Sequence, residues 1–207
     1  MRTLTHPIFI RSVEEDIGSI INNIFREEYG QMPRHFTPQL IVDAGAYIGD
    51  TSAYFLSRYP KASVLSLEPN PESYEIASRN LSDYGERVNL LNAALTPEDG
   101  RVRISGLATG ARVSTDGQDV AAITITTLLS NSGFMSIDIL KMDIEGHEVP
   151  VLTEKSEYWL PRVKWLLLET HGKNIEDELL PFLKGKGFTI HRHRNVWYCE
   201  NRKYLSS

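Results

Sequence analysis

IVDAGAYIGDT, from Ile41 to Thr51, is the stretch whose reading decides the fold. It joins a buried apolar strand (Leu40, Ile41, Val42) to an acid, two glycines and a helix beginning near Thr51. A strand that ends in Asp43-Ala44-Gly45 and reopens as a helix after Gly49 lets the backbone bend tightly. It can then approach a ligand where a β-carbon would collide. The spacing predicts a cofactor loop, with Asp43, Gly45, Ala46, Tyr47, Gly49, Asp50 and Thr51 as its candidate contacts.

The charges narrow the cofactor. A dinucleotide loop offers bare backbone N–H groups to a pyrophosphate at a helix N-terminus, where anionic side chains are unhelpful. Here Asp43 precedes the first glycine, Asp50 follows the last, and the third glycine of the dinucleotide pattern is missing. Acidity of this kind suits a ligand with a sulfonium, an ammonium and a ribose but no phosphate, which describes S-adenosylmethionine. A second apolar run, Val64 to Leu67, ends in Glu68-Pro69-Asn70. A carboxylate at the end of the second strand is placed to accept both ribose hydroxyls.

Working outward, 207 residues fit one domain with a substantial core. The net charge of −5 leaves no basic footprint for nucleic acid. The single cysteine, Cys199, cannot form an internal disulfide, and no apolar run is long enough for a secretory signal or a membrane span. The expectation is a cytoplasmic chain with no nucleic-acid or membrane partner; the oligomeric state is left open.

Residues 1–38 read as an N-terminal helical leader and 39–207 as the cofactor-binding domain. In the leader, Ser12-Val13-Glu14-Glu15 has the form of a capping box. Ile17, Ile20, Ile21, Ile24 and Phe25 then recur at helical spacing as one packing face. The leader either covers a sheet edge or forms a flap across the cofactor that contributes Tyr29. After Glu68, Pro71 opens a second helix. Val88 to Leu95 reads as the third strand, and its end, Asn92-Ala93, is either an adenine edge or a plain strand exit. Arg101 to Ser105 reads as a short strand and Val120 to Ile125 alternates weakly; between them, Gly106 to Gly117 lacks periodicity and reads as a loop expected to order over ligand. Thr127 is expected to cap a short helix. Ile137 to Asp143 is the fourth strand, followed by a helix to about Tyr158, and Val163 to Thr170 is the fifth. Asn174 and Asp177 have N-cap spacing for a helix to Lys186. A hairpin of Phe188 to His193 with Val196 to Asn201 closes the chain. This alternation calls for a parallel doubly wound sheet with one antiparallel strand added by the hairpin.

Taken in order, IVDAGAYIGDT, LEPNP, LLNAAL, DILKMDIEGHEVPVL and LLLETHG resemble the FkbM-type family of S-adenosylmethionine-dependent methyltransferases. DILKMDIEGHE is the most specific of these blocks. The resemblance implies a Rossmann-like α/β fold with seven strands in the order 3-2-1-4-5-7-6 and the cofactor at the carboxyl ends of strands one to four. It implies O-methylation of a hydroxyl on a natural product, polyketide or sugar. It places Asp43, Gly45, Ala46, Tyr47 and Gly49 in the cofactor loop, Glu68 at the ribose, Asn92 and Ala93 at the adenine, and Asp143 at the methionine end. The chain ends soon after the last strand, so recognition of the acceptor is expected from the leader, the 106–117 loop and the ends of strands four and five.

A hydroxyl is a poor nucleophile while it keeps its proton, and the candidates to take it are Asp143, Glu145, Glu169 and His171. His171 suits a general base, with Lys141 as a charge partner of Asp143. A divalent metal on Asp143, Glu169 and His171 is the less favoured alternative. A non-catalytic nucleoside-binding relative is the reading from outside enzymology, and this cluster of titratable groups argues against it. In the bland reading, His171 caps the strand end and Glu169 pairs with a cation.

Overall fold

The computed structural model describes residues 4–106, 112–114 and 116–204. A seven-stranded sheet forms its centre. The strands are β1 (Leu40–Ala44), β2 (Ser63–Leu67), β3 (Val88–Leu91), β8 (Ile137–Met142), β9 (Val163–Glu169), β10 (Phe188–His193) and β11 (Val196–Asn201). They lie in the order β3-β2-β1-β8-β9-β11-β10. All pair in parallel except β11, which runs antiparallel to both neighbours. This is the 3-2-1-4-5-7-6 order expected from the sequence.

β1 and β8 are buried at every position, as an interior parallel strand with helices on both faces must be. Alternate residues of β1 face opposite ways. Leu40, Val42 and Ala44 meet α4 (Ile125–Ser132), α5 (Glu148–Thr153) and α6 (Lys173–Gly185), whereas Ile41 joins the cluster built by α2 (Asp50–Arg58), α3 (Pro71–Leu81) and the leader. α3 starts as its sequence dictates. Asn70 caps it by accepting from the Ser73 N–H at 3.0 Å, with Pro71 in the first turn. Among the described residues, no helix is long and apolar enough to cross a membrane.

Several local expectations are corrected. The third strand breaks at Asn92, because the Asn92 amide turns aside to donate to the Glu68 and Pro69 carbonyls. The remainder, β4 (Ala93–Leu95), joins a second sheet with β5 (Gly100–Ser105), β6 (Arg112–Ser114) and β7 (Gln118–Ile123), in the order β4-β7-β5-β6. Part of the expected 106–117 loop is therefore strand; residues 107–111 and 115 of that loop, and its expected ordering over ligand, lie outside the described residues. α4 is capped by Thr124, which accepts from the Thr127 N–H, while the Thr127 hydroxyl donates to Asp99. α5 stops at Thr153 and gives way to two short 3-10 turns. Gly172, not Asn174 or Asp177, precedes α6.

The leader departs most. α1 (Glu14–Ile20) begins at Val13 without a side-chain cap and continues as a π turn over Ile21–Phe25. Of the expected packing face only Ile24 is buried, and Ile17, Ile21 and Phe25 face outward. The helix turns its polar side inward instead, because the partners waiting there are polar.

Candidate functional site

The carboxyl ends of β1, β2 and β8 share one edge of the sheet, and a cavity of about 760 Å³, its open mouth included, lies beyond them. It receives Gly45 from β1, Glu68 from β2 and Asp143 from β8, the position where parallel sheets bind ligands. The two loop glycines are required by packing. A Cβ on Gly45, at φ +81°, would lie 1.8 Å from the Asp143 carbonyl oxygen; one on Gly49, at φ +82°, would press on Ala77 and Leu81 of α3 at 3.1–3.2 Å. Gly45 brings the ends of β1 and β8 together and lines the cavity. Gly49 and Ala46 are buried in the loop and do not line it.

Glu68 is 4% exposed at the cavity wall. One of its oxygens accepts from the Tyr47 N–H at 2.7 Å and the other from the Asn70 N–H at 2.8 Å. Burial lifts its pKa to about 7 against these two donors. Tyr47 is held at φ +49°, costly for an aromatic residue, so that its N–H reaches Glu68. Pro69, Asp50, Thr51 and Ala93 line the cavity, and Ala94, Leu95 and Ile104 complete an apolar wall. Asn70 and Asn92 do not line it: one amide caps α3 and the other ties the end of β3 to the Glu68 loop.

Asp43 is another correction. It is wholly buried and absent from the cavity wall, because its position on β1 points toward α2. There it accepts from the Ser52 hydroxyl at 2.6 Å and faces the Lys141 ammonium at 3.2 Å. Lys141, 2% exposed on β8, also donates to the Gly45 carbonyl at 2.6 Å and lies 3.8 Å from Asp143. Burial opposes its charge, but Asp43, Asp143 and Glu169 outweigh burial and raise its pKa.

Tyr29 and Glu169 find each other instead of the ligand. Tyr29, 1% exposed, donates to Glu169, and neither residue lines the cavity. Burial and then the neighbouring Asp143 charge raise Glu169 to about 7.

The end of β9 brings His171 to the loop after β8. Its Nε2 lies 3.3 Å from Asp143 and 3.6 Å from Glu145; its Nδ1 lies 3.0 Å from Glu148. Glu148 is fully buried and also accepts from the Ile144 and Gly146 N–H groups at 3.3 and 3.2 Å. The hydrogen bond to Glu148, opposed by burial and helped by Asp143 and Glu145, raises His171 to about 9. At neutral pH its imidazole is therefore protonated and not a free base. Asp143 and Glu145 line the cavity; His171 stands behind them. The metal set named from sequence is changed: Glu169 is committed to Tyr29, and the group that converges is Asp143, Glu145 and His171.

Sequence reasoning missed the roof. Ser19 and Asn23 of the leader line the cavity and donate to the Asp50 carboxylate at 2.7 and 2.8 Å. Arg11 and Tyr47 both bond Asp16, which is wholly buried. Polar residues at positions 16, 19 and 23, spaced at helical intervals opposite the isoleucines, were the available signal. His147, also in the wall, is buried enough for its pKa to fall.

This fold, with a cavity at the ends of its first, second and fourth strands, is that of the methyltransferases. The solved methyltransferase FkbM from Methylobacillus flagellatus superposes with a TM-score of 0.63 at 18% identity, over 86% of this chain and 47% of that one. Residues 43–194 match the Methyltransferase FkbM domain, and the chain belongs to that family. It is 32% identical to the methyltransferase sdnD of Sordaria araneosa over 76% of each chain. It is 25% identical to the 31-O-demethyl-FK506 methyltransferase FkbM of Streptomyces tacrolimicus over 72% of this chain and 54% of that protein. It therefore spans about half the length of that relative and of the solved structure.

Proposed function

We propose that the protein is an S-adenosylmethionine-dependent O-methyltransferase whose acceptor is a hydroxyl of a small molecule. The observation that carries this reading is Glu68. It is a buried carboxylate at the end of β2 whose two oxygens each hold one backbone N–H and keep a lone pair for a ribose hydroxyl. The residues fit the cofactor otherwise. Ala93, Ala94, Leu95 and Ile104 offer a flat apolar wall to a base, and Asp50 and Asp143 offer negative charge to a sulfonium and an ammonium. Lys141, in the wall, is already neutralised by Asp43. An oxygen acceptor is supported by the likeness to the 31-O-demethyl-FK506 methyltransferase FkbM, and a small acceptor also by that to the hexuronic acid methyltransferase AglP of Haloferax volcanii.

When bound, S-adenosylmethionine supplies a methyl group that is already activated, so the chain's own task is placement and proton removal. Asp143 and Glu145 face the cavity and are the groups positioned to orient the acceptor and accept its proton. His171, braced by Glu148, holds both carboxylates in place.

Calorimetry with S-adenosylmethionine and its demethylated product tests the reading, followed by a labelled-methyl screen of hydroxylated small molecules. Glu68→Ala is expected to weaken binding by about 1.5–3 kcal/mol, the worth of a charged hydrogen bond. Absence of affinity for both ligands refutes it.

A further inference from the structure

We propose that Asp143, Glu145 and His171 form a divalent-cation site at the mouth of the cavity. One ligand atom from each lies within 4.8 Å of the other two. Metal–oxygen and metal–nitrogen bonds of roughly 2.0–2.3 Å place two ligands of one ion up to about 4.5 Å apart, so small side-chain shifts close the set. The three come from two loops brought together by the β8·β9 pairing, Asp143 and Glu145 after β8 and His171 after β9.

The support behind the imidazole is the independent observation. A histidine that ligates metal through one nitrogen characteristically gives the other N–H to a carboxylate, which fixes ring and tautomer. Here Glu148 stands 3.0 Å from Nδ1 and leaves Nε2 directed at Asp143 and Glu145. Glu148 is itself wholly buried, its Oε1 is held by two backbone N–H groups, and its Oε2 has no hydrogen-bond partner among the described residues. A carboxylate so placed contributes nothing to solubility, and the side chain it holds is His171. The side chains of Asp143, Glu145 and His171 are 29%, 25% and 30% exposed, which lets an ion enter and keep open coordination positions. Two carboxylates and one imidazole are a hard, mostly oxygen set suited to Mn²⁺, Fe²⁺, Mg²⁺ or Zn²⁺. Because Asp143 and Glu145 also line the cavity, an ion there would polarise an acceptor hydroxyl; that role alone rests on the methyl-transfer reading.

The test reads binding, so it stands apart from turnover. The full-length protein is stripped with a chelator, dialysed and titrated with Mn²⁺, following loss of the free-ion electron paramagnetic resonance signal, and separately with Co²⁺, following visible absorption. One Mn²⁺ per chain is expected. Glu145→Gln and Glu148→Gln are each expected to weaken it at least tenfold, the second as a positioning residue that touches no ion. His171→Ala should abolish the Co²⁺ band. Asp99→Asn, an acid outside the cluster, should leave affinity unchanged. Circular dichroism checks that each variant is folded; Glu145→Gln, at a partly exposed position, is the variant that keeps the test decisive if His171→Ala unfolds. Absence of stoichiometric Mn²⁺ uptake, or uptake unaltered by Glu145→Gln, overturns the proposal.

Discussion

Removing Asp43 distinguishes a ligand-binding acid from a structural one. If its carboxylate served the cofactor, Asp43→Ala would lower affinity and leave folding intact. Its position argues for the opposite. It is wholly buried and set 3.2 Å from the ammonium of Lys141, which is 2% exposed. Breaking a buried ion pair from one side typically costs about 3–5 kcal/mol, since the surviving charge stays out of water. In Asp43→Ala the ammonium keeps the Gly45 carbonyl at 2.6 Å and Asp143 at 3.8 Å, so the low end, about 3 kcal/mol, is expected. Lys141→Met leaves Asp43 with the Ser52 hydroxyl alone and is expected to cost at least as much. The double variant buries no unpaired charge, so its cost should fall short of the sum by at least about 2 kcal/mol. Urea unfolding of the four proteins gives the cycle. Additivity within about 0.5 kcal/mol, or an Asp43→Ala variant of native stability that binds no cofactor, would refute the reasoning.

Gly45→Ala should destabilise by at least about 2 kcal/mol, from left-handed strain and from a Cβ 1.8 Å from the Asp143 carbonyl oxygen; a shift in urea midpoint worth less than about 0.5 kcal/mol would show that β1 and β8 separate freely. Glu68 retains its proton in the folded chain up to about pH 7, against an ordinary value of 4.5. Its favourable contribution is therefore complete below pH 4.5 and lost as pH rises through 7, a loss of at most about 3 kcal/mol. Glu68→Gln should flatten the stability profile between those values, and an unchanged slope would assign it to other groups such as Glu169.

The parallel strands of the main sheet were legible because most of them carry an apolar run. A run such as Leu40 to Val42, buried at every position, fits an interior parallel strand. The short strand Arg101 to Ser105 was legible, but its pairing into a second sheet with the end of the third strand was not, because Asn92 leaves that strand to bond two carbonyls of another loop. A hydrophobic pattern does not show where a polar side chain will find its partner. The leader failed for the same reason in reverse. Its isoleucines had the period of a packing face, but Asp16, Ser19 and Asn23 had committed partners in Tyr47, Arg11 and Asp50. Leaving those groups buried without partners would cost more than exposing Ile17, Ile21 and Phe25.

The site divides along the same line. Glu68, Asp143 and Glu145 line the cavity because each sits at or just after a strand end, where the parallel sheet itself does the placing. Asp43 and Tyr29, expected as cofactor contacts, do not line the cavity although they lie beside it, because their burial at 0% and 1% exposure against partners on other elements is a tertiary fact. The consequence reaches the chemistry. With Glu169 held by Tyr29 and Asp43 by Lys141, the acids at the ends of β8 and β9 that line the cavity are Asp143 and Glu145, and Glu148 holds His171 beside them. Glu148 was given no role from the sequence, and by holding Nδ1 it decides that Nε2 is the nitrogen turned toward Asp143 and Glu145.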